Sequence, residues 1–262
     1  MKIKFFKING IAGNLYYTNE NSKTVIIYAL GAPRVPDEGN VKEALHVTQA
    51  GLHLFVPDYI GFGRSDGVFT PINCINTFLR LYKYFKKGIL GINTYENLKR
   101  EFKYERIIFV GKSFGGTYIP LLPRFNSEIK ELGIFYPVVD SKSQGSEQGE
   151  ETNELFLQSM DRDGYKYLYR GIMNKLWKDH LENLDDLSPI LNISYLNNTK
   201  LFIAHGMLDK CVNYKKSEKY FKKVLNEFPN ARNNFKLKLY KNSEHGYSTA
   251  RLSIKDFIKW IL

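Results

Sequence analysis

Three residue types that could do chemistry together stand far apart in this chain: a serine, an aspartate and a histidine. Ser113 lies in Gly111-Lys112-Ser113-Phe114-Gly115-Gly116, directly after the apolar run Ile107–Val110. A strand that ends in such a run must turn sharply into a helix, and glycines on both sides let neighbouring backbone approach closely. The serine hydroxyl is then held out in the open. It is a poor nucleophile unless a base takes its proton, so a histidine and an orienting carboxylate are required. His245, in Ser243-Glu244-His245-Gly246-Tyr247, follows the last predicted strand. Asp209, in His205-Gly206-Met207-Leu208-Asp209-Lys210-Cys211-Val212, follows the penultimate one. Asp140, after Phe135-Tyr136-Pro137-Val138-Val139, is a rival for the acid. Glu244 adjoins His245, but neighbouring side chains diverge. A phosphate loop would need glycine where Arg106 stands, which excludes that reading of Lys112-Ser113.

The elements that would position these residues alternate. A hairpin is predicted from Ile3–Ile8 and Asn14–Thr18, turning around Asn9-Gly10 and Ala12-Gly13. Strands follow at Thr24–Leu30, Leu52–Pro57, 106–110, Leu132–Tyr136, Lys200–His205 and Phe235–Tyr240. Helical spacing marks Val41, Ala44, Leu45 and Val47, then Phe78, Leu81, Tyr82 and Phe85, then Tyr214–Glu227 and Ser253–Ile261. Strands alternating with helices imply an α/β domain with a mostly parallel sheet covered on both faces. Residues 88–104 carry no assignable pattern. Ser141–Glu150 is polar and reads as a mobile loop. Helices at Glu154–Met160 and Tyr165–Leu181, the second with Leu168, Ile172, Leu176 and Trp177, interrupt the strand series. The expected organisation is a core of 1–140 and 187–262 with a helical lid at 141–186.

Composition narrows the function. The 262 residues are 43% hydrophobic and 25% charged, and no window approaches a membrane span. Lysines interrupt the first seven residues, so no signal peptide is read there and a cytoplasmic location is expected. The net charge is +11, and from Lys210 onward thirteen Lys/Arg stand against four Asp/Glu. These lysines are dispersed through amphipathic patterns, which predicts a solvated basic surface and no nucleic-acid partner. Cys74 and Cys211 read as two reduced thiols. No His, Cys, Asp or Glu set has metal-ligand spacing, so neither metal nor cofactor is expected. Asp58 and Asp66 read as turn-stabilising.

The elbow at Ser113, the order Ser, Asp, His, the segment Pro57-Asp58-Tyr59-Ile60-Gly61-Phe62-Gly63-Arg64-Ser65, Ser188-Pro189-Ile190 and His205-Gly206-x-x-Asp209-x-x-Val212 together resemble the α/β-hydrolase superfamily. The likeness is to its serine hydrolases of the esterase, lipase and prolyl-oligopeptidase-like aminopeptidase type, and it runs from Thr24 to Trp260. It implies an α/β-hydrolase fold with a Ser113, Asp209 and His245 triad. Two backbone N–H groups would form the oxyanion hole. Phe114 follows the nucleophile, and Ala32 maps to the family's His-Gly-x donor, with Leu30 in place of the histidine. The expected activity is cleavage of small carboxylic esters through an acyl-enzyme. The alternatives are a peptidase or amidase, and a hydrolase fold used only for binding. The expected partner is a small ester or acyl substrate.

Overall fold

The computed structural model describes residues 1–162, 164–172 and 175–262. Strands β1 (Lys2–Ile8) and β2 (Ile11–Tyr17) form the opening hairpin, with Ile8 opposite Ile11. Asn9 and Gly10 both have positive φ, 44° and 83°, as a tight two-residue turn requires. The turn expected at Ala12-Gly13 is absent, because both residues pair within β2. Gly13 serves a different purpose: a Cβ there would meet the Phe55 ring and the Val56 carbonyl oxygen at 2.7 Å.

The chain continues through β3 (Thr24–Ala29), α1 (Ala44–Gln49), β4 (His53–Pro57) and α2 (Pro71–Lys87). Helix α2 starts where the Thr70 hydroxyl accepts from the Asn73 N–H and proline occupies the first turn. Its buried stripe includes Cys74, Phe78, Leu81 and Phe85. The unassigned stretch after it is a second hairpin, β5 (Ile89–Asn93) and β6 (Leu98–Phe102). Next come β7 (Arg106–Lys112), α3 (Phe114–Tyr118), α4 (Leu122–Phe125) and β8 (Glu131–Phe135). Helices α5 (Asn153–Asp161), α6 (Tyr165–Leu168) and α7 (Lys175–Leu181) precede β9 (Lys200–Gly206). The chain closes with α8 (Tyr214–Glu227), β10 (Phe235–Tyr240) and α9 (Tyr247–Ile261).

Among the described residues ten strands form one sheet, ordered β10-β9-β8-β7-β3-β4-β2-β1-β5-β6. From β10 to β4 every neighbouring pair is parallel; from β4 to β6 every pair is antiparallel. Helices α1 and α9 bury Val47, Ile254 and Phe257 on one face, and α2 and α8 bury Phe78, Tyr220 and Val224 on the other. This is the α/β-hydrolase fold. Lys215, Lys219, Lys222 and Lys223 are exposed on α8. Among the described residues no helix is long and apolar enough to cross a membrane.

The region between β8 and β9 differs from expectation in two respects. The polar loop at 141–150 is tied down: the Gln144 Nε2 donates to the Glu151 and Cys211 carbonyls, and Glu150 accepts from the Asn213 N–H and Lys216 Nζ. The helix expected over Tyr165–Leu181 breaks at Tyr169, which bridges to Phe62; residues 173 and 174 within that span lie outside the described residues. Leu176 points to solvent, whereas Trp177 is fully buried and stacks on Phe69 at 4.8 Å.

Candidate active site

The parallel strands β7, β9 and β10 all deliver their loops to one edge of the sheet, and the three chemistry-bearing residues meet there. Ser113 joins β7 to α3 with φ 52° and ψ −126°, a strained conformation for a residue with a Cβ. Its N–H donates to the Phe135 carbonyl on β8. The surrounding glycines are needed for close approach. A Cβ at Gly111 would sit 2.4 Å from the Gly115 carbonyl oxygen, and one at Gly115 would sit 2.4 Å from the Ala29 carbonyl oxygen.

The Ser113 hydroxyl lies 3.0 Å from His245 Nε2, and His245 Nδ1 lies 2.7 Å from Asp209 Oδ2. With Asp209 ionised, Nδ1 carries the proton and donates it, leaving Nε2 free to accept from the serine. The Tyr136 ring packs against the His245 imidazole at 4.6 Å. Asp209 is saturated: Oδ1 accepts from the Cys211 and Val212 N–H groups, both at 2.9 Å, and Oδ2 also accepts from His205 Nε2 at 3.1 Å. Burial pushes this carboxyl up, but hydrogen bonds from His205 and His245, with the Val212 N–H, outweigh it and hold the group well below the ordinary carboxylate range. His205 Nε2 faces two acceptors, Asp209 and the Val212 carbonyl, while its Nδ1 meets the Ser217 hydroxyl at 2.8 Å. Its ring is therefore the Nε2–H tautomer, and Nδ1 accepts from the Ser217 hydroxyl.

The aspartate and histidine loops touch at Gly206. A Cβ there would lie 2.2 Å from the Ser243 carbonyl oxygen, which also accepts from the Leu208 N–H. Gly206→Ala is expected to force the loops apart, destabilising the fold by about 1–3 kcal/mol and separating His245 from Asp209. Thermal denaturation alongside turnover measurements checks this, and a variant as stable and active as the parent would contradict it.

Ala32 and Phe114 line the same cleft as Ser113 and His245. Among the described residues neither backbone N–H has a hydrogen-bond partner. The loop after β3 passes Ser113 closely enough that a Cβ on Gly31 would lie 3.4 Å from its Oγ. Leu30, in the histidine position of the resembled family, is buried, and its carbonyl accepts from the Tyr59 hydroxyl at 2.7 Å. The Tyr169 hydroxyl accepts from the Arg34 N–H and donates to the Arg34 carbonyl. Two tyrosines thus hold this loop, and a single sequence gives no signal of either. Beneath it, the Glu43 carboxylate accepts from Lys112 Nζ at 2.6 Å and from the Tyr28 hydroxyl.

Asp140 lies outside this group. Its carboxylate accepts from Asn183 Nδ2 at 2.9 Å. Asp58 is bound to Arg64 at 2.8 Å and Asp66 to Lys7 at 2.6 Å. The cleft encloses about 540 Å³ of space not filled by protein atoms, mouth included. Phe114, Val138, Phe156, Leu181 and Val212 give it an apolar wall, and Phe156 of α5 stacks on Phe114 at 5.6 Å. His180 also faces it, with Nδ1 donating to Asp185 and Nε2 accepting from the Tyr118 hydroxyl.

Residues 91–261 match the model of the prolyl oligopeptidase family. No curated protein matches the chain by sequence. Solved structures resemble it over nearly its whole length. An esterase of Pyrococcus furiosus is 14% identical, with a TM-score of 0.62, covering 98% of this chain and 91% of its own. A monoacylglycerol lipase of Paleococcus ferrophilus is 13% identical at TM-score 0.62, covering 99% and 100%. A puromycin-hydrolyzing peptidase of Mycobacterium tuberculosis is 11% identical at TM-score 0.66, covering 97% of this chain and 38% of that one. At such identities the likeness carries the fold alone.

Proposed function

The chain belongs to the prolyl oligopeptidase family of α/β hydrolases, and from that premise we propose that it is a serine hydrolase that cleaves small carboxylic esters. The observation that carries this reading is the unbroken chain of contacts from Ser113 Oγ to His245 Nε2 at 3.0 Å and from His245 Nδ1 to Asp209 at 2.7 Å. Ser113 Oγ attacks the carbonyl carbon while its proton passes to His245 Nε2. The N–H groups of Ala32 and Phe114 stabilise the oxyanion of the tetrahedral intermediate. As that intermediate collapses, Nε2 gives the proton to the departing alkoxide and the acyl group stays on Ser113. Water, deprotonated by the same imidazole, then releases the acid and restores the serine. Asp209 keeps the required tautomer and stabilises the imidazolium.

Residues 141–186 act in this reading as a lid. Thr152, Asn153, Phe156, His180 and Leu181 from that segment wall the cleft, and its apolar side suits an acyl or aryl group. Family membership favours a second reading, in which the scissile bond is an amide. Turnover of short-chain nitrophenyl esters against aminoacyl nitroanilides separates the two. The expected result is a kcat/KM at least about a hundredfold higher for the esters. A preference for the anilides would assign the peptidase reading instead.

A further inference from the structure

Asp209 and His245 have a third neighbour that the hydrolytic reading does not use. Spacing along the sequence hides it, because His245 comes from a different loop. One ligand atom each of Asp209, Cys211 and His245 lies within 4.8 Å of the others. Cys211 is fixed by its backbone: its N–H donates to Asp209 Oδ1, and its carbonyl accepts from Gln144 Nε2 and the Glu151 N–H. Its side chain lines the cleft beside Ser113.

We propose that Asp209, Cys211 and His245 form a binding site for a thiophilic divalent cation of the zinc type, and that filling it reversibly switches off Ser113. Thiolate, imidazole and carboxylate together are a donor set that zinc accepts, with water completing a tetrahedron. Ligand atoms around such an ion stand about 3.5 Å apart, so His245 Nδ1 and Asp209 Oδ2, 2.7 Å apart, must part to admit the ion while the Cys211 sulfur closes on it.

The proton balance explains the switch. The Cys211 thiol loses its proton to solvent as the S–metal bond forms. His245 Nδ1 gives its lone pair to the metal, and the proton it carried moves to Nε2. Nε2 then has no lone pair for the Ser113 proton, and Asp209 turns from hydrogen-bond acceptor to ligand. Metal binding stands independently of the hydrolase reading; only the switching rests on it.

Cobalt(II) titrated into the metal-free protein is the probe, because thiolate ligation gives an intense near-ultraviolet charge-transfer band. The sequence holds two cysteines, and Cys74 is fully buried, so the band reports on Cys211. The expected result is one equivalent bound with that band, displaced by zinc. Cys211→Ser and Cys211→Ala, each verified as folded by near-ultraviolet circular dichroism, should lose the band and bind zinc at least about tenfold more weakly. Zinc should slow fluorophosphonate labelling of the parent by about a hundredfold and of the two variants far less. Absence of the band, or equal zinc inhibition in parent and variants, would overturn the proposal. A cobalt band in a protein that never labels at Ser113 would uphold the site while refuting the hydrolase.

Discussion

Alanine at position 245 is expected to lower kcat for ester turnover by about 10⁶-fold, because the serine then has no base and the leaving group no acid. The fold should survive the change. The imidazole packs on Tyr136 and hydrogen-bonds Ser113 and Asp209, while Asp209 keeps His205 and two backbone N–H groups as partners when His245 is gone. The loss should therefore fall on kcat, with KM changed by less than about threefold. Single-turnover kinetics with circular dichroism as the fold control measure this. A loss smaller than about tenfold would show that another group takes the proton.

Asp209→Asn is expected to cost about 10⁴-fold in kcat. An asparagine can still accept from Cys211 and Val212 through its carbonyl oxygen. Its amide then points N–H donors at two rings whose facing nitrogens, His205 Nε2 and His245 Nδ1, are themselves donors. The conflict is relieved when His245 moves its proton to Nε2, which is the tautomer that cannot take a proton from Ser113. Asp140→Asn should stay within about threefold of the parent, since that carboxylate meets Asn183 instead. Equal losses in the two variants would contradict the assignment. The Asp209 change should also alter acid stability. The native pKa is depressed below the unfolded value of about 3.9. The stabilisation is therefore full above that value and lost as pH falls toward the native pKa. The parent's stability advantage over Asp209→Asn should shrink below about pH 4, as denaturant titrations at stepped pH would show.

Continuous apolar runs made the central strands legible, because strands buried on both faces have no polar alternation to disguise them. The Ser113 turn was legible through its glycines, each of which faces neighbouring backbone or a proline where a Cβ would clash. The β5–β6 hairpin was not. In β6 only Phe102 is buried, and Leu98, Lys99 and Glu101 are exposed, so an edge strand built from charged residues leaves no periodicity to read. The polar loop at 141–150 looked mobile because its anchors, Asn213 and Lys216, are more than sixty residues away. The spacing at Tyr165–Leu181 suggested one helix; Tyr169 instead leaves the helical path to stack on Phe62. The candidate site shows the same division. Ser113, Asp209 and His245 stand in short, specific contexts, whereas Tyr59, Tyr169 and Ser217 support it through contacts that only the fold creates.

Mass mapping of a fluorophosphonate adduct bears most directly on whether this serine is a nucleophile driven by its histidine. The expected result is one adduct per chain on the peptide containing Ser113, absent from Ser113→Ala and slowed by orders of magnitude in His245→Ala. An adduct on another residue, an adduct that persists in Ser113→Ala, or no reaction with the folded parent would contradict it.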